Sequence, residues 1–185
     1  GAVLRFDSSR ELIVGDDSDP LQPGALRAVG TPEDFITITA HHDYPTPGYW
    51  DGVYFARYSD DAKCLLEYCE IEYGGYEGAE NLYCNDSAPT LKHCRILYGD
   101  GYNVQSNSGA DPVLEDCEIA YATSYGIQIS NGSDAQITDC YIHDNNSYGI
   151  YIVNSSTVHA TDSTLSGNNW GVYCSSVSDT AYISG

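Results

Sequence analysis

A six-residue pattern recurs along the chain, and it limits the fold more tightly than any other feature. Four segments share it: Leu66-Glu67-Tyr68-Cys69-Glu70-Ile71, Leu91-Lys92-His93-Cys94-Arg95-Ile96, Leu114-Glu115-Asp116-Cys117-Glu118-Ile119 and Ile137-Thr138-Asp139-Cys140-Tyr141-Ile142. Ala160-Thr161-Asp162-Ser163-Thr164-Leu165 is a degenerate fifth copy. The cysteine slot falls at 69, 94, 117, 140 and, as serine, at 163, in steps of 25, 23, 23 and 23. A second pattern keeps the same phase. It runs from Gly52-Val53-Tyr54-Phe55 through Asn81-Leu82-Tyr83-Cys84, Gly101-Tyr102-Asn103-Val104, Gly126-Ile127-Gln128-Ile129 and Gly149-Ile150-Tyr151-Ile152 to Gly171-Val172-Tyr173-Cys174. Tyr125, Tyr148 and Trp170 precede the glycine in the last three.

Two short alternating segments per repeat, joined by Gly, Asn, Asp and Ser, predict strands with one face inward; no stretch has a convincing helical period. A strand pair that returns one layer further on each time is a β-solenoid, in which each coil satisfies its backbone groups against the next, ~4.8 Å away. In-register stacking predicts inward ladders: Leu66, Leu91, Leu114 and Ile137; Cys69, Cys94, Cys117 and Cys140; Ile71, Ile96, Ile119, Ile142 and Leu165. In Leu-x-x-Cys-x-Ile the inward positions lie three apart, then two. A corner residue at Tyr68, His93, Asp116, Asp139 and Asp162 restores the phase, and Asp suits a tight turn.

These repeats resemble those of right-handed parallel β-helix proteins, the pectate-lyase-like architecture. The N-terminal part is similar too. Gly1-Ala2-Val3-Leu4-Arg5-Phe6-Asp7, then Gly24-Ala25-Leu26-Arg27-Ala28-Val29-Gly30-Thr31, then Pro47-Gly48-Tyr49-Trp50-Asp51-Gly52-Val53 is an order like the start of many secreted bacterial and archaeal β-helix domains. The resemblance implies one all-β domain over residues 1–185, a right-handed parallel β-helix. Residues 1–48 form less regular coils and 49–185 the repeat coils. Handedness rests on the resemblance alone. Length and period together give about seven or eight coils of ~23 residues. Strands are expected near residues 2–6, 11–14, 25–29 and 35–39, and excursions at 41–47, 74–80 and 106–112. The fold hosts lyases, hydrolases, epimerases, adhesins and surface proteins, so it does not choose a function.

The ends have no amphipathic capping helix and no polar cap. The chain reads either as a piece of a longer one, or as a subunit that stacks end to end through Ala2, Val3, Leu4 and Phe6 at one face and Ala181, Tyr182 and Ile183 at the other. A heterologous contact of that kind propagates into a filament.

Composition narrows the setting. Seven basic against 27 acidic residues give a formal charge of −20, which repels phosphate backbones and anionic lipid surfaces and argues against nucleic-acid partners. No apolar run is long enough to enter a membrane. Seven cysteines and four Asn-x-Ser sequons, at Asn85, Asn131, Asn145 and Asn154, point to an extracellular or cell-surface glycoprotein. Inward thiols at Cys69, Cys94, Cys117 and Cys140 can pack as small apolar groups, or bridge as Cys69–Cys94 and Cys117–Cys140.

Chemistry is sparse. The resemblance implies that a lyase of this family acts on uronates with a basic residue and calcium. Arg57, Lys63, Lys92 and Arg95 are the available bases, with Lys92 and Arg95 in outward slots. Asn-Thr-Asp and Gly-His-Gly signatures of the family's polygalacturonases are missing. Stacking brings Glu67 towards Glu115 and Glu70 towards Glu118, which reads as a solvated acidic face. No cofactor is expected, although Asp16, Asp17, Asp19, Asp60 and Asp61 cluster oxygens of the kind calcium takes. His41, His42 and Asp43 read as exposed loop residues. Tyr54, Tyr83, Tyr151 and Tyr173 share an outward slot, as do Tyr73, Tyr98 and Tyr121; such rows stack on sugar rings, make a lateral contact with another subunit, or brace the sheet. The reading that fits best is a non-catalytic, self-associating surface protein with no catalytic residues. The alternative is a carbohydrate-active domain, either a polysaccharide lyase or a glycan-binding module.

Overall fold

A computed structural model describes residues 1–21 and 23–185. It contains three parallel sheets of seven strands each. The first sheet holds Val3–Phe6, Ile36–Ala40, Cys69–Glu72, Arg95–Leu97, Glu118–Ala120, Tyr141–His143 and Thr164–Ser166. The second holds Glu11–Val14, Gly52–Phe55, Glu80–Asn85, Tyr102–Asn107, Tyr125–Ser130, Tyr148–Val153 and Trp170–Cys174. The third holds Arg27–Val29, Leu65–Glu67, Thr90–Lys92, Val113–Glu115, Asp134–Thr138, Thr157–Thr161 and Thr180–Ser184. The chain visits the three in turn, so each coil is a triangle of strands and each neighbour in a sheet comes from the adjacent coil.

The corner predicted within the hexapeptide divides it into two strands that belong to two different sheets. The residues that divide it, Tyr68, His93, Asp116, Asp139 and Asp162, have φ of 50°, 52°, 50°, 53° and 51°. This left-handed conformation turns the chain sharply within one residue. The corner amides are not lost to the ladder. His93 N–H donates to Glu115 O at 2.9 Å, Asp116 N–H to Thr138 O at 2.9 Å and Asp139 N–H to Thr161 O at 3.0 Å. Tyr73, Tyr98, Tyr121 and Asp144 take the same conformation at the next corner, with φ from 51° to 63°. None of the non-glycine residues with positive φ is Val, Ile or Thr, whose branched Cβ is least tolerant of it. Asp139→Val is therefore expected to lower stability by about 1–2 kcal/mol, read as a shift in the urea midpoint, while Asp139→Gly leaves it unchanged or raises it.

The inward ladders lie where the repeat places them. Leu66, Leu91, Leu114 and Ile137 are fully buried in one column, and Ile71, Ile96, Ile119 and Ile142 in another. Isoleucine stacks on isoleucine at steps of 25, 23 and 23, so side chains of identical shape and volume repeat along the column.

The coil count needs correcting. Only about five turns keep close to the 23-residue period, as in the column Leu66–Leu91–Leu114–Ile137–Ala160–Ile183. The first turns are longer: Leu4 pairs with Ile38 and Ile38 with Ile71, steps of 34 and 33. Seven or eight coils of uniform length is therefore slightly too many. The extra residues enter the connections between strands, leaving interior space to close. Trp50 fills that space; it is fully buried, stacks on Phe6 at 4.6 Å and donates Nε1–H to Glu72 O at 2.7 Å. The excursion expected over 106–112 is also shorter, because Ser106 and Asn107 remain in their strand.

Candidate functional site

The second sheet turns its outer face to solvent with two columns of rings. One runs Tyr54, Tyr83, Gln105, Gln128, Tyr151 and Tyr173 in register. The predicted tyrosine row is thus two stacked pairs, at 5.1 and 5.8 Å, separated by a hydrogen-bonded glutamine pair. The other column holds Tyr102, Tyr125, Tyr148 and Trp170. Tyr102 and Tyr125 lie parallel at 4.9 Å, 11° apart. Beyond them the stack breaks: Tyr125 and Tyr148 are tilted by 59°, and Tyr125 and Tyr151 by 42°. Sequence reading found the row but missed Tyr102 and this change from stack to mosaic. Tyr73, Tyr98 and Tyr121 stack at 5.1 and 5.0 Å along the corner.

The last four strands of this sheet, Tyr102–Asn107, Tyr125–Ser130, Tyr148–Val153 and Trp170–Cys174, contain no charged residue. That stands out in a chain with 27 acids. At the foot of the ring column sits Glu80, paired with Tyr102. Burial pushes its carboxyl up to about 7, with a smaller contribution from the charge of Glu11.

The first sheet borders a shallow groove of about 500 Å³ lined by Phe35, Tyr68, His93, Arg95, Glu118 and Tyr141, among others. The Arg95 guanidinium lies 4.6 Å over the Phe35 ring and contacts Glu70 at 3.3 Å and Glu118 at 3.5 Å. Buried His143 joins Glu118 at 3.1 Å and Asp144 at 2.8 Å. Lys92 contacts Glu115 at 2.6 Å. The acids expected to approach each other are not neighbours. Lys92 stands between Glu67 and Glu115, and Arg95 between Glu70 and Glu118. The outward bases thus serve as counter-charges within acidic columns.

The sequence matches the family described as "Right handed beta helix region" over residues 39–185, well over half of the chain. The chain belongs to the right-handed β-helix family. A comparison with curated proteins found no match. Family membership specifies the solenoid and its hand and leaves the chemistry to the individual face.

Inside this β-helix runs an amide ladder that the repeat alignment missed. Asn81 Nδ2 donates to Asn103 Oδ1 at 2.9 Å, Asn103 Nδ2 to Asn145 Oδ1 at 3.3 Å, and Asn145 Nδ2 to Asn168 Oδ1 at 3.0 Å. Asn81 and Asn103 come from strands, whereas Asn145 and Asn168 reach in from the preceding turn. Glycine makes the switch feasible: a Cβ at Gly126 would lie 2.8 Å from Asn145 Nδ2, and one at Gly149 2.9 Å from Asn168 Nδ2. Asn145 therefore corrects the sequon reading. It is 2% exposed and its amide is committed inside the core, so the folded protein does not offer it to an oligosaccharide. Asn131 and Asn154 are exposed, with Asn154 Nδ2 on Asn131 Oδ1 at 2.9 Å. Asn85 is half-buried and donates to Asp17 and Tyr54 at 3.0 Å.

Cys69, Cys94, Cys117 and Cys140 form one buried column of free thiols. Each contacts the carbonyl two residues back, at 3.5, 3.2, 3.3 and 3.3 Å. Cys64 and Cys84 are also buried, and burial pushes both thiols up. Cys174 alone is exposed, four coils from Cys84 in the same column. Native β-helix is thus expected to titrate one thiol with Ellman's reagent and seven after denaturation in guanidinium. Fewer than seven after unfolding would reveal bridges along the column.

The acidic turns proposed for calcium are occupied by local partners. Asp16 accepts from Ser18 N at 2.6 Å and Asp19 N at 3.0 Å, and Asp19 accepts from Leu21 N at 2.9 Å. Asp17 accepts from Arg57 N at 2.9 Å and from the Tyr54 hydroxyl. Asp60 pairs with Lys63, and Asp61 accepts from Ser59 Oγ at 2.9 Å. Among the described residues no three His, Cys, Asp or Glu side chains gather in a metal-ligating group. His41 contacts Asp7 at 3.0 Å, and His42 Nδ1 accepts from Tyr44 N at 3.0 Å, both in the exposed loop.

Proposed function

We propose that this β-helix is an extracellular, non-catalytic structural protein that associates end to end, one copy continuing the coils of the next. The observation that carries the reading is the chemical match between the first and last coils. Each inward column begins and ends on an apolar or small residue: Leu4 and Leu165, Leu12 and Val172, Val14 and Cys174, Ala28 and Ile183. Stacking in the existing register sets these pairs against each other in all three sheets. It also lays Arg27 over the Tyr182 ring, a favourable cation–π contact. Val3 is 51% and Ile183 61% exposed, and the outer edges of their strands have no partner among the described residues. Not every expected end residue faces outward. Phe6 is partly buried on Trp50, and Ala181 packs against the core.

The exterior supports the setting: a −20 charge favours solubility, and Asn131 and Asn154 are accessible sequons. Pairing of Lys92 and Arg95 with carboxylates supports the non-catalytic reading over the lyase. Sedimentation velocity over a concentration series tests the proposal. Wild-type chains are expected to grow in whole-subunit steps. Ile183→Lys, which places a charge on the stacking face and disturbs little in the single chain, is expected to remain monomeric with an unchanged circular dichroism spectrum. A wild type that stays monomeric throughout, or a variant that assembles equally well, overturns it.

A further inference from the structure

The tilted rings of the second sheet are placed for a covalent chemistry that bracing does not use. The chain has 17 tyrosines and no methionine, and six of its seven thiols are buried. Phenols are therefore the main oxidisable groups at the surface. Cys174 is exposed, but it points to the opposite face of its strand from Tyr173. We propose that Tyr125–Tyr151 and Tyr148–Tyr173 are two modification sites, at which oxidative coupling forms dityrosine bonds between neighbouring coils.

The reaction balances with hydrogen peroxide as oxidant and a peroxidase as the one-electron catalyst. Each phenol gives up one electron and one proton and becomes a phenoxyl radical. Hydrogen peroxide takes up the two electrons and two protons and is reduced to two waters. The radicals join by one carbon–carbon bond between positions ortho to oxygen. The hydrogen on each joined carbon then moves to oxygen and restores the phenol. The product is two hydrogens lighter than the pair of tyrosines.

Geometry selects these two pairs. The ortho carbons lie away from the point where Cβ joins the ring. A bond between them holds the two Cβ atoms further apart than one strand spacing of ~4.8 Å. Rings in a single column stand about one spacing apart with their faces opposed, as Tyr102 on Tyr125 at 4.9 Å and 11°, and Tyr73 on Tyr98 at 5.1 Å and 7°. They cannot turn edge to edge without parting the strands. The diagonal pairs differ. Tyr151 and Tyr173 share one column, whereas Tyr125 and Tyr148 belong to the other, so each proposed bond crosses between columns and between coils. Diagonal neighbours are more widely spaced at the backbone, yet these rings converge to 4.9 and 5.0 Å, tilted by 42° and 31°. Tyr173 is 44% exposed, so an oxidant reaches the cluster from solvent. Each ring is used once. Both bonds can form in one molecule, and together they join three successive coils.

Peroxidase and hydrogen peroxide acting on the dilute chain provide the test, with gel filtration to isolate the monomer and proteolysis before aspartate. Cleavage places Tyr102 in peptide 100–110, Tyr125 in 116–133, Tyr148 and Tyr151 in 144–161, and Tyr173 in 162–178. Mass spectrometry of the monomer is expected to find 116–133 joined to 144–161, and 144–161 joined to 162–178, each with the loss of two hydrogens. Tyr151→Phe is expected to lose the first link and keep the second, and Tyr148→Phe the reverse. Phenylalanine keeps the ring but forms no phenoxyl radical, so both variants are expected to retain the wild-type circular dichroism spectrum. A monomer without either link overturns the proposal. So does coupling confined to 144–161, where Tyr148 and Tyr151 lie 5.2 Å apart in one strand. A link from 100–110 to 116–133 in equal yield, or both links surviving in both variants, overturns it as well. The chemistry needs one chain only. Ile183→Lys is therefore expected to give both links, which separates this proposal from end-to-end assembly.

Discussion

Replacing Asn103 with leucine is expected to destabilise the β-helix by about 3–5 kcal/mol. Asn103 Oδ1 accepts from Gly99 N at 3.0 Å and Asn81 Nδ2 at 2.9 Å; its Nδ2 donates to Ala120 O at 2.7 Å and Asn145 Oδ1 at 3.3 Å. Leucine removes all four bonds: Gly99 N loses its acceptor, at about 1–3 kcal/mol, whereas Asn81 Nδ2 keeps Leu97 O at 2.7 Å, Ala120 O keeps Tyr98 N at 3.2 Å and Asn145 Oδ1 keeps Ala122 N at 3.0 Å, so each of those losses costs about 0.5–1.5 kcal/mol. Relaxation of the turns around Gly99 and Ala120 recovers part of the sum. Asn107 lies in the same strand and also belongs to a row of amides, bonded to Tyr83 Oη at 2.6 Å and Asn131 Nδ2 at 2.6 Å. It is half-exposed, so its partners can turn to solvent, and Asn107→Ala is expected to cost about 1 kcal/mol. Urea denaturation of the two variants separates a ladder that holds coils together from one that decorates them. Equal losses would contradict the distinction.

That internal ladder also shows where sequence reading reaches its limit. The columns of Leu, Cys and Ile were legible because one residue type returns at one step and must stack on itself. The corners were legible because the inward spacing of three, then two, requires one residue to absorb a change of direction. The division into three sheets was not, since a corner at Tyr68 or Asp116 reads as a bend until its φ of 50° separates the strands. The amide ladder was hidden for a different reason. Its members occupy one place in space but two places in the repeat, strand for Asn81 and Asn103 and turn for Asn145 and Asn168. No single period aligns them, and Asn145 looked like a glycan acceptor. The sign was Gly126 and Gly149, which stand in the strand slot of Asn103 wherever the amide arrives from the turn. The outward face was half legible: register predicted the tyrosine row, whereas the 59° tilt between Tyr125 and Tyr148 depends on side-chain packing across columns.

Raising the pH through neutrality is expected to weaken the fold, and Glu80 is the main source. Its carboxyl moves from an ordinary value of 4.5 up to about 7, chiefly by burial, with Glu11 adding repulsion. Between those values the folded chain holds a proton that the unfolded chain releases. The stabilisation is therefore fully present below about 4.5 and lost as pH rises through about 7, amounting to at most about 3 kcal/mol. Burial pushes Glu11 and Glu72 in the same direction, so the wild-type slope has their contributions as well. Glu80→Gln keeps the shape and removes the charge. The variant is expected to match the wild type near pH 4 and to exceed it by about 2–3 kcal/mol at pH 8. Urea midpoints at pH 4, 5.5, 7 and 8 check this; parallel profiles for the two proteins would contradict it.

Coil stacking builds this β-helix, and we propose that it also joins one copy to the next. Within the chain, every layer is held by strand edges, apolar columns and corner amides that bond to the next layer, and the first and last layers offer the same chemistry outward. Negative-stain electron microscopy at high protein concentration tests this most directly. Seven strands per sheet stack to about 34 Å at the usual strand spacing. The account predicts thin, unbranched filaments with an axial repeat near that height, absent for Ile183→Lys. A field of discrete single particles for the wild type would contradict it.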